Sequence, residues 1–141
     1  MIYRLYVETE SKGNGTAWAF AFYNHQDFRI YKLTGKSESG DEKEVVLSTT
    51  IRALTYFSNF IRRRYYDEHF ATILDEDNVT VFTQRADLEK AKKRFPADDA
   101  GYAALWMQMK PFLERPTMFF EITSPQDDLS EKTRTLLVEN R

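Results

Sequence analysis

Residues 16–23 set a large side chain against a small one: Trp18, Phe20 and Phe22 alternate with Ala17, Ala19 and Ala21. A period of two marks a β-strand. A strand with one wet face would carry polar residues where these alanines stand. Neither face is polar here, so the pattern calls for burial on both sides, with helices lying close against the sheet.

The neighbouring segments supply the rest of such a sheet. Residues 2–9 place Ile2, Arg4, Tyr6 and Glu8 on one face and Tyr3, Leu5, Val7 and Thr9 on the other, up to the Gly13/Gly15 turn. A third strand is predicted over 27–34, with Phe28 and Ile30 opposed to Arg29, Tyr31 and Leu33. Three strands at short spacing suggest an antiparallel meander. Lys36 to Asp41 read as a polar break, with Ser39 or Asp41 capping a helix. Helical periodicity then runs over 43–65, through Val46, Ala53, Phe57 and Phe60/Ile61, flanked by Leu47, Ile51, Leu54 and Tyr65.

After a loop ending at Asp75–Asn78, Val79 to Thr83 read as a short buried strand. A helix is predicted over 86–94, stopped by Phe95-Pro96, and another from Asp98/Asp99 through Leu113 with Pro111 near its end. Residues 117–123 form a last strand, and Pro125 to Asp128 lead into a helix over 128–139. The predicted order is βββαβααβα. No repeat or linker interrupts it, so residues 1–141 are expected to form one domain.

The 141 residues can bury about two-thirds of their unfolded surface, and 42% apolar content supplies the core. The absence of cysteine excludes a disulfide-linked partner and thiolate metal sites, and suits a cytoplasmic setting. The alternating N-terminus with Arg4 does not read as a signal peptide. No apolar run approaches the roughly 18 residues of a membrane span. A net charge of −2 neither demands nor forbids a polyanionic partner.

Tyr6-Val7-Glu8-Thr9-Glu10-Ser11-Lys12-Gly13-Asn14 resembles the opening strand and glycine turn of the ribonuclease H family. There the strand carries the first catalytic Asp, followed five residues later by Gly-Asn. Leu105-Trp106-Met107-Gln108 is similar to the Leu-Trp-Gln stretch of the family's penultimate helix. The order of elements matches too, over roughly residues 2–138. The resemblance implies an α/β fold: a ribonuclease H-like mixed five-stranded sheet with helices on both faces.

The resemblance also implies where catalytic acids should stand. Two-metal hydrolysis of this kind gathers four acidic groups around divalent ions about 4 Å apart, and such hard cations take oxygen ligands. At the first position stands Glu8, a carboxylate longer by one methylene; its alternative reading is a solvent-facing strand residue. The second acid belongs five residues before the Ile of Ile51-Arg52-Ala53-Leu54, where Val46 stands. Glu44 is rotated by about 200° from that position. Glu42 lies one turn earlier on the correct face, yet also reads as an acidic N-terminal helix residue. The third acid should follow Thr83, where Gln84 stands, with Asp87 close by at a helix start. The fourth should fall in Ser130-Glu131-Lys132-Thr133-Arg134-Thr135-Leu136, whose frame puts Arg134 there. The family's His loop is replaced by Thr123-Ser124-Pro125. Glu8 and Arg134 are therefore expected to approach each other across a degenerate pocket that also holds Val46 and Gln84.

His25 and His69 fall in a predicted turn and loop, with no nucleophile paired to them. Gly13-x-Gly15 lacks the third glycine of a dinucleotide fingerprint and reads as turn chemistry. Cations gather at Arg62-Arg63-Arg64, which suits a helix C-terminus. Lys90, Lys92, Lys93 and Arg94 lie near where some bacterial members of the family carry a basic substrate-binding handle, and Lys12 sits in the glycine loop. These are the candidate phosphate contacts. The reading that follows is a pseudoenzyme, a non-catalytic ribonuclease H-like binding module for a protein partner or structured nucleic acid, without a cofactor. The alternative is a nuclease using magnesium or manganese at a displaced site of Glu8, Glu42 and Asp87.

Overall fold

The computed structural model describes residues 2–67, 78–83, 87–93, 100–123 and 127–139. Strands β1 (Ile2–Lys12), β2 (Gly15–Tyr23) and β3 (Arg29–Ser37) form an antiparallel meander. Helix α1 (Glu42–Asp67) leads to β4 (Asn78–Thr83) and α2 (Asp87–Lys93). A 3₁₀ turn, Ala100–Tyr102, enters α3 (Ala103–Leu113), followed by β5 (Met118–Ile122) and α4 (Asp128–Glu139). The strands make one five-stranded sheet in the order β3-β2-β1-β4-β5, with β4 parallel to both β1 and β5.

The β1–β2 connection is a two-residue turn, Gly13-Asn14, between paired Lys12 and Gly15. Gly13 has φ of 58°, the positive value that the first position of a type II′ hairpin turn needs.

The large/small alternation of β2 is resolved by what covers each face. Trp18, Phe20 and Phe22 join Tyr3, Leu5 and Val7 of β1 in the main core, under Leu54, Phe57 and Ile61 of α1 and Trp106 and Met109 of α3. On the reverse face Ala19 and Ala21 lie with Tyr6 and Tyr23 beneath Leu129, Leu136 and Leu137 of α4. Small side chains there let a single helix settle close to β1 and β2. The Asp41 carboxylate accepts from the amides of Lys43 and Glu44 and caps α1, so of the two predicted caps it is Asp41 that acts.

Several boundaries differ from the sequence expectation: β1 runs on past Thr9 to Lys12, and β3 begins at Arg29, so Phe28 precedes it. Strand β3 continues to Ser37, because Lys36 and Ser37 pair with Ala17 and Thr16 despite their polarity. Polar side chains are ordinary on an edge strand, where one row of backbone groups faces outward. The regular helix α3 starts at Ala103, after the 3₁₀ turn that contains Gly101, a poor helix former. The predicted start at Asp98/Asp99 lies outside the described residues, as do the stop at Phe95-Pro96 and the loop ending at Asp75.

Candidate functional site

Glu8 occupies the central strand β1 and projects to the face that α4 covers, paired in register with Ala19. Its side chain is 1% exposed, which excludes the solvent-facing alternative. The Ser130 hydroxyl of α4 donates to Oε1 of Glu8 at 2.6 Å. Arg134, one turn further along α4, donates from Nη1 to the same Ser130 oxygen at 3.3 Å. A hydroxyl can give one proton and accept another bond at once, so Ser130 joins the two charged side chains in a chain. Glu8 and Arg134 thus share Ser130 as a partner.

The polar chain continues beside this contact. Tyr6, on the Glu8 face of β1, donates its hydroxyl to Oδ2 of Asp127, whose other oxygen accepts from the amide of Leu129 and caps α4. Tyr23 and Thr133 share a hydrogen bond of 3.1 Å, and Thr133 also donates to the Leu129 carbonyl. Burial pushes the Tyr6 phenol well above the usual tyrosine value, and the Asp127 carboxylate adds to the shift. Burial likewise raises Tyr23, against a smaller opposing effect of its Thr133 hydrogen bond. Among the described residues no buried side-chain nitrogen or oxygen lacks a hydrogen-bond partner. Both tyrosines are built to stay neutral donors.

The other carboxylate candidates are placed differently. Oε1 of Glu42 accepts from the Thr9 hydroxyl at 3.1 Å. Thr9 follows Glu8 directly, so its side chain leaves the opposite face of β1. Glu42 is exposed and opens the first turn of α1, while Val46 is buried one turn later. Asp87 is the first residue of α2, with its side chain outside the described set, and Gln84 lies outside it altogether. Among the described residues, no three His, Asp or Glu side chains gather as a metal-binding group.

No family model matches the sequence, and neither does any curated protein. Solved structures do. The chain is similar to LC11 ribonuclease H1, isolated from compost by a metagenomic approach and solved with an RNA/DNA hybrid, with a TM-score of 0.67 at 11% identity, over 98% of this chain and 95% of that one. Ribonuclease H1 of Halobacterium salinarum gives a TM-score of 0.62 at 14% identity, over 96% and 94% of the two chains. The N-terminal ribonuclease H domain of Rv2228c from Mycobacterium tuberculosis gives 0.61 at 9% identity, over 98% and 96%. The chain has the ribonuclease H-like fold. At these identities the likeness is one of fold.

Of the basic candidates, Lys90 and Lys92 have described side chains. Lys90 is exposed on α2. Lys92 donates to the Arg115 carbonyl at 3.0 Å and lies 4.9 Å from the centre of the Phe119 ring, so its ammonium is engaged within the protein. Burial lowers its pKa. The side chains of Lys12 and Lys93, and Arg94 as a whole, lie outside the described residues, as does His69. His25 is exposed in the β2–β3 turn. Sequence reasoning missed Ser130, Thr133 and Asp127 as partners of the sheet. The available signal was three small polar residues at helical spacing, opposite a sheet face carrying Tyr6 and Glu8 of β1 and Tyr23 of β2. Among the described residues no helix is long and apolar enough to cross a membrane.

Proposed function

We propose that this chain is a non-catalytic ribonuclease H-like module that binds structured nucleic acid. The observation that carries the loss of catalysis is the closure of the Glu8 carboxylate by Ser130 and Arg134. A guanidinium stands where a fourth acid would be, and it supplies positive charge that divalent ions would otherwise bring. Val46 and Gln84 offer no carboxylate at the other two positions. Nucleic acid is favoured as the partner because LC11 ribonuclease H1, of the same fold, was solved with an RNA/DNA hybrid. A cysteine-free chain supports a reducing, cytoplasmic setting.

The test pairs cleavage with binding. Labelled RNA/DNA hybrid incubated with magnesium or manganese should remain intact, and the same hybrid should associate with the protein at low salt. Metal-dependent cleavage abolished by Glu8→Gln would overturn the reading in favour of the displaced site of Glu8, Glu42 and Asp87. A rise in melting temperature with magnesium or manganese would point the same way, since only the folded state would bind. Absence of association with hybrid, DNA and RNA would move the partner to protein.

A further inference from the structure

We infer that the outer edge of β3 is a docking site for an extended acidic peptide, which adds to the sheet as a further strand and places an aromatic or aliphatic side chain between β3 and α1. Strand β3 ends the sheet, and among the described residues β2 is its one neighbouring strand. Alternate amides and carbonyls along such an edge face outward and can pair with another extended chain. The strand runs from Arg29 to Ser37 without a proline, long enough to template a peptide.

Its two faces say what that peptide would carry. Arg29, Lys32 and Lys36 are the strand's charged residues, all of them cations and all exposed. Lys32 and Lys36 pair in register with Ala21 and Ala17, on the face where α4 packs over β1 and β2. Two copies of β3 laid edge to edge would bring like charges together, which disfavours self-pairing and suits an acidic partner.

The opposite face is aromatic and hollow. A cavity of about 320 Å³ opens between β3 and α1, lined in part by Phe22, Ile30, Tyr31, Tyr56, Phe60 and Arg63. Tyr31 stacks on Phe22 and on Tyr56, each at 5.4 Å between ring centres and 22° between planes. Tyr31 and Tyr56 remain 36% and 40% exposed, and Phe28, just before the strand, is 65% exposed. That volume is near the lower limit of ligand pockets and suits one inserted side chain. Arg63 beside it can take a neighbouring carboxylate in its planar fork. Because successive residues of a strand face opposite ways, a peptide alternating acidic with apolar residues would satisfy both faces together. This surface is separate from the exposed Lys90, whose helix packs on β5 at the other edge of the sheet.

The experiment uses the full chain and a fluorescein-labelled peptide of about eight residues alternating glutamate with phenylalanine and valine. Anisotropy should show saturable binding, lost when the peptide's amides are N-methylated and when lysine replaces its glutamates. The double variant Lys32→Glu/Lys36→Glu should bind at least about tenfold more weakly, and Tyr56→Ala and Arg63→Ala several-fold more weakly. Circular dichroism of each variant should remain that of the parent. Lys90→Glu, which probes nucleic-acid binding, should leave peptide affinity unchanged. Equal binding of the N-methylated peptide would overturn the inference, as would indifference to all four β3 and α1 substitutions. Competition by RNA/DNA hybrid that is relieved in Lys32→Glu/Lys36→Glu would instead mark the edge as a phosphate surface. A dimer in sedimentation that persists when the peptide is added, and that excludes it, would overturn the inference and assign the edge to a second copy.

Discussion

The Ser130 hydroxyl lies 2.6 Å from Oε1 of Glu8, and Arg134 holds the same hydroxyl at 3.3 Å from one helical turn away. The contact joins the central strand to the helix on the reverse face, across a sequence separation of 122 residues. It ties the buried carboxylate to α4 where the sheet face is otherwise lined by alanine and tyrosine. Its disruption should therefore be felt in stability.

Ser130→Ala should destabilise the fold by about 1–3 kcal/mol, because it removes a hydrogen bond to a buried carboxylate. Arg134→Ala should cost less than this if the guanidinium acts mainly by orienting Ser130. Urea unfolding of both variants and the double variant measures the coupling. A Ser130→Ala midpoint equal to the parent's would show that the bond contributes nothing.

Alkaline pH should destabilise the protein through Tyr6 and Tyr23. Both phenols are raised in the folded state, chiefly by burial. The unfolded chain therefore releases these protons first as pH rises. Their contribution is complete below the unfolded value of about 10 and declines above it, by up to about 1.4 kcal/mol per pH unit for each group. Tyr6→Phe should flatten that decline in urea titrations between neutral and alkaline pH. An unaltered slope would place the effect elsewhere.

At the acid end the sign reverses. Asp41 is lowered, first by the Tyr102 hydroxyl that donates to it and then by the amides it caps. A depressed carboxyl supports the fold above its unfolded value of about 3.9, and that support is lost as pH falls through the folded value. Tyr102→Phe should shrink this loss, as read from thermal melts between neutral pH and acid. A steeper acid decline in the variant would contradict it.

Gly35→Ala should lower the melting temperature. A Cβ at Gly35 would stand 2.3 Å from Cζ2 of Trp18, inside the indole ring's own space. Trp18 is buried and carries the Arg52 guanidinium over its ring at 4.7 Å, which restricts its retreat. Overpacking of this kind costs about 1–3 kcal/mol. A melt unchanged from the parent would mean that the ring can shift freely.

Lys90→Glu should weaken association with RNA/DNA hybrid alike for all sequences. It should also reduce the slope of log affinity against log salt by about 1, the signature of a lost phosphate contact. Titrations at several salt concentrations decide it. An unchanged slope would remove Lys90 from the nucleic-acid surface.

The fold was legible because its elements announce themselves locally. The alanine face of β2 requires a close-lying helix, Gly13 requires a turn, and the periodicity of α1 is continuous from Glu42 onward. Residue polarity misled where backbone pairing overrides it, as at Lys36 and Ser37 in β3, and at Glu8, whose solvent-facing reading its burial excludes. What the sequence by itself determined was the order of strands and helices; that Val46, Gln84 and Arg134 stand in place of acids is an expectation that the family resemblance implies. Partnership across the sheet was decided by tertiary structure alone. Glu8 is buried because α4 crosses it, and Ser130 of that helix meets it there. Such contacts depend on how helix and sheet dock, and residue spacing along one element carries no record of the other.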